Sequence, residues 1–357
     1  MKPLIRSLVP EEFSSLVEEF GQPAFRADQL VKWLHQPRVR QWDQMTNLSL
    51  GLRQSLAERY NLEGLTGVER LVSNDGTRKF LFQLRDGNTV ESVIIPMSEH
   101  PTFCISCQVG CAMACRYCAT ARGGLVRNLV AGEVIEQILH LLADLESTPH
   151  PGMGNRSFNV VFMGMGEPLD NWQEVEKCLK ILMDNQGWSV SRRRIQISTS
   201  GPRAGLEKLI SADPGVGLTL SLGGSNDQER KRIMPVPGRT TLAEALELSA
   251  IYGRQSGRRV TLAWVLIAGS TDHPEQARRI VKLARTGPFK INLIPMNPLE
   301  GELEAAPAQE VALGFQKILM DGGIDTFIRA SGGLDIAAAC GQLRRKREKK
   351  NGERSSK

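Results

Sequence analysis

From about residue 100 the chain repeats one pattern, a short apolar run followed by a longer stretch of helical periodicity. The runs are "TFCIS", "FNVVFMG", "RIQIST", "VGLTLSL", "VTLAWVLI", "KINLIP" and "DTFIRA". The clearest helical stretch is "AGEVIEQILHLLADLE", in which Val134, Ile138, Leu142 and Leu145 share a face. Such alternation predicts an α/β fold of parallel strands with crossover helices, closed or nearly closed into a barrel. Polar or glycine-rich pieces sit just after the strands: "CISCQVGCAMACRYC" after the first, "MGEP" after the second, "SLGGSND" after the fourth and "IPMNP" after the sixth. Cys340 lies just beyond the last. In β/α barrels the loops at the strands' C-terminal ends build the active site, so these pieces converge on one mouth.

Two smaller regions precede this core. Phe13, Leu16, Val17 and Phe20 have the spacing of one helical face, and "RADQLVKWLH" resumes a helical pattern after Gly21 and Pro23, which makes residues 1–62 a helical accessory domain. Residues 63–99 read as a β-rich extension, with turns at Asn74-Asp75-Gly76 and Asp86-Gly87-Asn88. The barrel core occupies 100–343, and a basic tail, read as disordered, occupies 344–357. That tail holds eight basic and two acidic residues and so accounts for the whole formal charge of +6. A basic tail suits a polyanion such as RNA, and "SRRRI" and "ERKRI" inside the body lean the same way. Arg6, Glu11 and Glu12 break any export signal, and no apolar run approaches the ~18 residues of a membrane span, so the expected compartment is a reducing cytoplasm. There, clustered cysteines bind metal or do chemistry more often than they form structural disulfides.

Five of the 7 cysteines fall between 104 and 118. They group in two ways. Cys104-x2-Cys107 with Cys115-x2-Cys118 is a double CxxC that could hold zinc, although it leaves Cys111 unused. Cys111-x3-Cys115-x2-Cys118 is instead a tight trio of thiolates, the ligands that iron–sulfur clusters favour. Cys178 sits in a helical pattern and reads as a core residue, and Cys340 in "AAAC" would by itself read the same way.

The trio, with Tyr117 before its last thiol, resembles the CxxxCxxC signature of the radical S-adenosylmethionine (SAM) superfamily. "FCISCQVGCAMACRYCAT", "RNL", "MGMGEPLDN", "STSG", "KINLIPMNP" and "DIAAACGQL" follow one another in the order found in the RlmN/Cfr RNA methyltransferases, and "FRADQL", "SNDGTRKF" and "VESVIIP" are similar as well. The resemblance runs from about Gly21 to Leu343 and implies a partial (β/α)6-type radical-SAM barrel. It implies a 4Fe-4S cluster on Cys111, Cys115 and Cys118, with SAM bound at its open iron and cleaved to a 5′-deoxyadenosyl radical. Cys340 matches the family's S-methylcysteine, which takes its methyl from one SAM before a second is cleaved. Cys104 matches the thiol that releases the RNA adduct through a transient disulfide with Cys340, and Glu91 matches the proton acceptor. SAM contacts map to Gly166, Glu167, Ser198, Ser221, Leu222, Gly223 and Asn297.

The implied reaction is methylation of adenosine C2 in 23S rRNA and in tRNA by a cytoplasmic monomer, with an electron donor such as flavodoxin. C8 methylation would use the same residues. A zinc-binding, non-enzymatic RNA-binding protein is the reading from a different class. Two positions depart from the family pattern: Gly223 stands where histidine is common, and Cys107 where serine is common.

Overall fold

The computed structural model describes residues 2–36, 39–149, 157–235, 240–299 and 304–344, so the basic tail lies outside the described residues except for Arg344. The N-terminal residues form three helices, α1 (Pro10–Glu19), α2 (Phe25–His35) and α3 (Leu50–Arg59). Phe13, Leu16 and Val17 of α1 are buried as the spacing predicts, against a separate apolar cluster that runs from Ile5 to Leu62.

The hairpin turns also fall where the sequence puts them. They join β1 (Leu65–Val72), β2 (Arg78–Leu84) and β3 (Thr89–Ile95) into an antiparallel meander. This meander is not a free-standing unit. β3 pairs antiparallel with β4 (Thr102–Cys104), setting Val93 opposite Cys104, and so continues the main sheet. After β4 come the small hairpin β5 (Gln108–Gly110) and β6 (Leu125–Asn128), with the four-residue α4 (Ala119–Arg122) between them.

The expected alternation then unfolds in order. It runs α5 (Ala131–Ser147), β7 (Asn159–Phe162), α6 (Trp172–Met183), β8 (Ile195–Thr199), α7 (Arg203–Ala212) and β9 (Gly217–Ser221). It continues α8 (Asp227–Ile233), α9 (Leu242–Gln255), β10 (Val260–Leu266), α10 (Pro274–Ala284), β11 (Phe289–Pro295), α11 (Gln309–Asp321) and β12 (Thr326–Ile328). All seven predicted strands are present. They lie side by side and parallel in the order β4-β7-β8-β9-β10-β11-β12, and with β1–β3 they make one open ten-stranded sheet. Six crossovers between seven strands give the partial barrel.

One helix departs from its sequence pattern. The periodicity assigns α5 a single apolar face, yet Ile135, Leu139 and Leu141 are buried beside Val134, Ile138 and Leu145, and Leu142 is only partly covered. The cause is the N-terminal region, which packs on the face turned away from the sheet. Ser7 Oγ accepts from Gly132 N at 2.9 Å, and the Glu136 carboxylate accepts from Gly64 N and Leu65 N at 2.7 and 2.9 Å. Buried Arg6 stands 3.8 Å from Glu136, which offsets the desolvation that either charge would suffer alone. Among the described residues, no helix is long and apolar enough to cross a membrane.

Candidate active site

The first two loops at the strand C-termini are stitched to each other by backbone contacts. Gly164 N donates to Ile105 O at 3.0 Å, Met165 N to Ser106 Oγ at 2.9 Å and Cys107 N to Met165 O at 2.9 Å. Glu167 N then donates to the Gln108 side chain at 2.8 Å. The buried Glu167 carboxylate reaches sideways to the end of β8. It accepts from Thr199 Oγ1 at 2.7 Å, Ser200 N at 2.7 Å, Ser200 Oγ at 2.9 Å and Leu169 N at 3.0 Å. These hydrogen bonds tie the two loops and the end of β8 into one wall.

Cys111, Cys115 and Cys118 all line the cavity that this wall encloses. Burial pushes the Cys111 thiol up to about 12, with Cys118 adding to the push, and Cys115 is raised by burial, Cys118 and Cys111. The three sulfurs are thus near neighbours in a desolvated pocket, a setting in which a cationic iron cluster is what would hold them as thiolates. Among the described residues, no three His, Cys, Asp or Glu side chains, the trio included, are gathered closely enough to hold a metal ion as they stand. Cys107 is buried with its sulfur 3.7 Å from Met165 O, and Cys104 ends β4. A cube of four irons spreads its thiolates over separate corners, which the trio suits.

Cys340 reaches the same cavity on a strap that follows β12. Asn297 Nδ2 donates to Cys340 O at 2.9 Å, Ala119 N to Gly341 O at 2.6 Å, Thr120 Oγ1 to Leu343 O at 2.6 Å and Gln342 Nε2 to Pro298 O at 2.7 Å. The strap is therefore tied to both the cysteine loop and "IPMNP". Gly341 has φ +82°, and a Cβ there would meet Tyr117 O at 2.6 Å. Gly341→Ala is expected to destabilise the protein by about 1–3 kcal/mol and to lift the strap, measured as faster alkylation of Cys340 by iodoacetamide.

Burial pushes the Cys104 thiol up to about 12, and the Cys340 thiol adds to that push, but Cys104 is not among the residues that line the cavity with Cys340. The expected Cys104–Cys340 disulfide is not formed, because all seven cysteines are free. Glu91 lies behind the cavity wall rather than on it. Its side chain is buried, accepts from Arg344 N at 2.8 Å and stands 3.4 Å from Lys79 Nζ.

Of the residues expected to contact SAM, Gly166, Glu167, Ser198, Ser221, Gly223 and Asn297 line the cavity with the cysteines. Leu222 does not. It is fully buried, and its backbone groups are engaged by Ala263 O and the Arg230 guanidinium. Gly223 has φ +66°, and a Cβ there would sit 2.6 Å from Met234 Cε. The Met234 sulfur accepts from Tyr117 OH at 3.1 Å.

Sequence reasoning missed several members of the site. Arg230, counted within the basic "ERKRI", is buried and donates to Ser221 O, Leu222 O and Ser200 O, so it holds the loop after β9 in place and is not displayed to a polyanion. Arg329 lines the cavity and stands close enough to Cys104 to oppose the rise of its thiol. No periodicity distinguishes such arginines from surface ones.

With this geometry in hand, comparison with known proteins gives a consistent set of matches. A family model described as the ribosomal RNA large subunit methyltransferase N-terminal domain matches residues 5–62, and the radical SAM superfamily model matches residues 105–281. A probable dual-specificity RNA methyltransferase RlmN from Symbiobacterium thermophilum is 41% identical over 343 residues, covering 96% of this chain and 91% of its own. The dual-specificity RNA methyltransferase RlmN of Campylobacter concisus is 40% identical over 345 residues, covering 93% and 89%. A crystal structure of a radical SAM methyltransferase from Sphaerobacter thermophilus superposes with a TM-score of 0.89 at 36% identity, covering 96% of this chain and 99% of that one.

Proposed function

Because this chain belongs to the RlmN family of radical SAM RNA methyltransferases, we propose that it methylates C2 of adenosine in 23S rRNA and in tRNA, through an S-methylcysteine at Cys340 and with two SAM per turnover. The radical SAM superfamily implies a 4Fe-4S cluster and SAM, and the cavity trio Cys111, Cys115 and Cys118 is the donor set that fits the cluster. When bound, the cluster supplies the electron that cleaves SAM. What remains for the chain is placement.

The observation that carries the reading is the convergence on Cys340. Cys340 lines the cavity of the trio, is close enough to Cys104 to raise its thiol, and lies on the strap whose end touches Glu91. In this reading Cys340 accepts a methyl group, delivers its carbon to the base and holds the RNA as a thioether. Glu91 takes the ring proton, and Cys104 attacks the Cys340 sulfur to release the product. Gly166, Glu167, Ser198, Ser221, Gly223 and Asn297 shape the pocket for SAM, with Leu222 supporting it from behind. The enzyme acts as a cytoplasmic monomer and draws its electrons from a flavodoxin-type donor.

The relatives' dual-specificity naming favours two RNA substrates. Nucleoside analysis of 23S rRNA and tRNA from a strain lacking the protein is expected to show loss of 2-methyladenosine from both, restored by the wild-type gene. Retention of the nucleoside in both RNAs, or loss of 8-methyladenosine instead, would defeat the proposal.

A further inference from the structure

Glu91 is held by groups from opposite ends of the chain. Across the antiparallel pair β2–β3, Lys79 stands opposite Val93 and Leu81 opposite Glu91, which makes Lys79 and Glu91 diagonal neighbours on one face. Lys79 Nζ lies 3.4 Å from one Glu91 oxygen, with the two side chains 11% and 2% exposed. The other oxygen accepts from Arg344 N at 2.8 Å. Lys79 from β2 and Arg344 from the strap's end are among the charged residues that face the carboxylate. The same ammonium donates to Ala337 O at 3.1 Å, three residues before Cys340. That strap is fastened to the β1–β2 turn as well, through Gly333 N to Asp75 at 2.8 Å and Ser73 Oγ to Asp335 at 2.5 Å.

A buried carboxylate with no cation beside it takes up a proton and ceases to be a base; a cation within about 4 Å favours the anion. Lys79 supplies one such cation and also ties it to the segment bearing Cys340. We propose that Lys79 is a positioning residue that keeps Glu91 as an oriented carboxylate, ready to take the ring proton of the target adenine. This rests on the reading of Glu91 as proton acceptor given above.

The test is single-turnover methylation of RNA by the reconstituted full-length enzyme as a function of pH. It compares wild type, Lys79→Arg, Lys79→Met and Glu91→Gln. Lys79→Met is expected to move the acidic limb of the profile upward by about one pH unit, a loss of about tenfold on that limb, with the gap narrowing as pH rises. Lys79→Arg, which retains the cation, is expected to stay near wild type. SAM cleavage and the methyl content of Cys340 on purification should persist in Lys79→Met, which separates a mis-set base from general damage. An unshifted profile in Lys79→Met, a uniform loss at every pH, or parallel loss of SAM cleavage overturns the proposal. Wild-type rates in Glu91→Gln would remove the Glu91 reading itself. An inactive Glu91→Gln beside an unshifted Lys79→Met would remove only the role of Lys79.

Discussion

Cys340→Ala is expected to reduce RNA methylation by at least about 10⁴-fold, the scale on which enzymes lose activity when an obligatory nucleophile is removed, while SAM cleavage continues. The separation follows from how the two functions are housed. Cys340 contributes one sulfur to the cavity, and its strap is held by main-chain and neighbouring contacts that alanine leaves in place: Asn297 Nδ2 to the residue 340 carbonyl, Ala119 N to Gly341 O and Gln342 Nε2 to Pro298 O. The trio of cysteines and the wall built by Glu167, Thr199 and Ser200 do not depend on that sulfur. The measurement is a paired assay of SAM cleavage products and methylated RNA. Full RNA methylation by the variant would remove Cys340 as the methyl carrier. Loss of both signals would instead make it a structural residue of the SAM pocket.

What could be read in advance followed the reach of the interactions. All seven parallel strands were visible, because each is a short apolar run bounded by turn chemistry, and that is local information. The convergence of the loops on one mouth followed from the barrel rule alone. The burial of α5 on nearly every side was not legible, because it depends on Ser7 and Gly64 docking from elsewhere in the chain. Glu91 was found only through resemblance. It sits in "TVESVII", where six of the seven residues are buried, so alternation gives no hint of a functional carboxylate. Its partner Lys79 carried no signal, and neither did the contact of Ser73 with Asp335, 262 residues apart. The basic "ERKRI" misled for a related reason. Composition counts charges, while the fold spends Arg230 on three buried carbonyls and shows only part of the cluster to solvent.

Cys104→Ala is expected to stop the reaction one step later, with RNA covalently attached to Cys340. Release requires the S–C bond of the thioether to break. In the proposed step Cys104 gives up its thiol proton and its sulfur forms an S–S bond to Cys340 as that bond breaks, while the electron pair goes to the carbon, which takes up a proton to become the methyl. The two thiols are oxidised as the carbon is reduced, and an external thiol then restores them. Among the cysteines outside the trio, Cys104 is the one whose thiol is raised by Cys340. Cys178 is buried in α6 with its sulfur 3.6 Å from Ala131 O, and Cys107 is turned to Met165 O. Burial, with the Cys340 thiol adding to it, pushes Cys104 up to about 12, so at neutral pH it rests protonated. Such a thiol reacts when the adduct is delivered against it and stays idle otherwise. The variant should therefore accumulate up to one RNA per chain, seen as a slow-migrating band on denaturing gels that ribonuclease digestion trims to a nucleotide-modified Cys340 peptide. Multiple turnovers of methylated RNA by Cys104→Ala would mean that another nucleophile cleaves the thioether, and the pairing of these two sulfurs would then have no part in release.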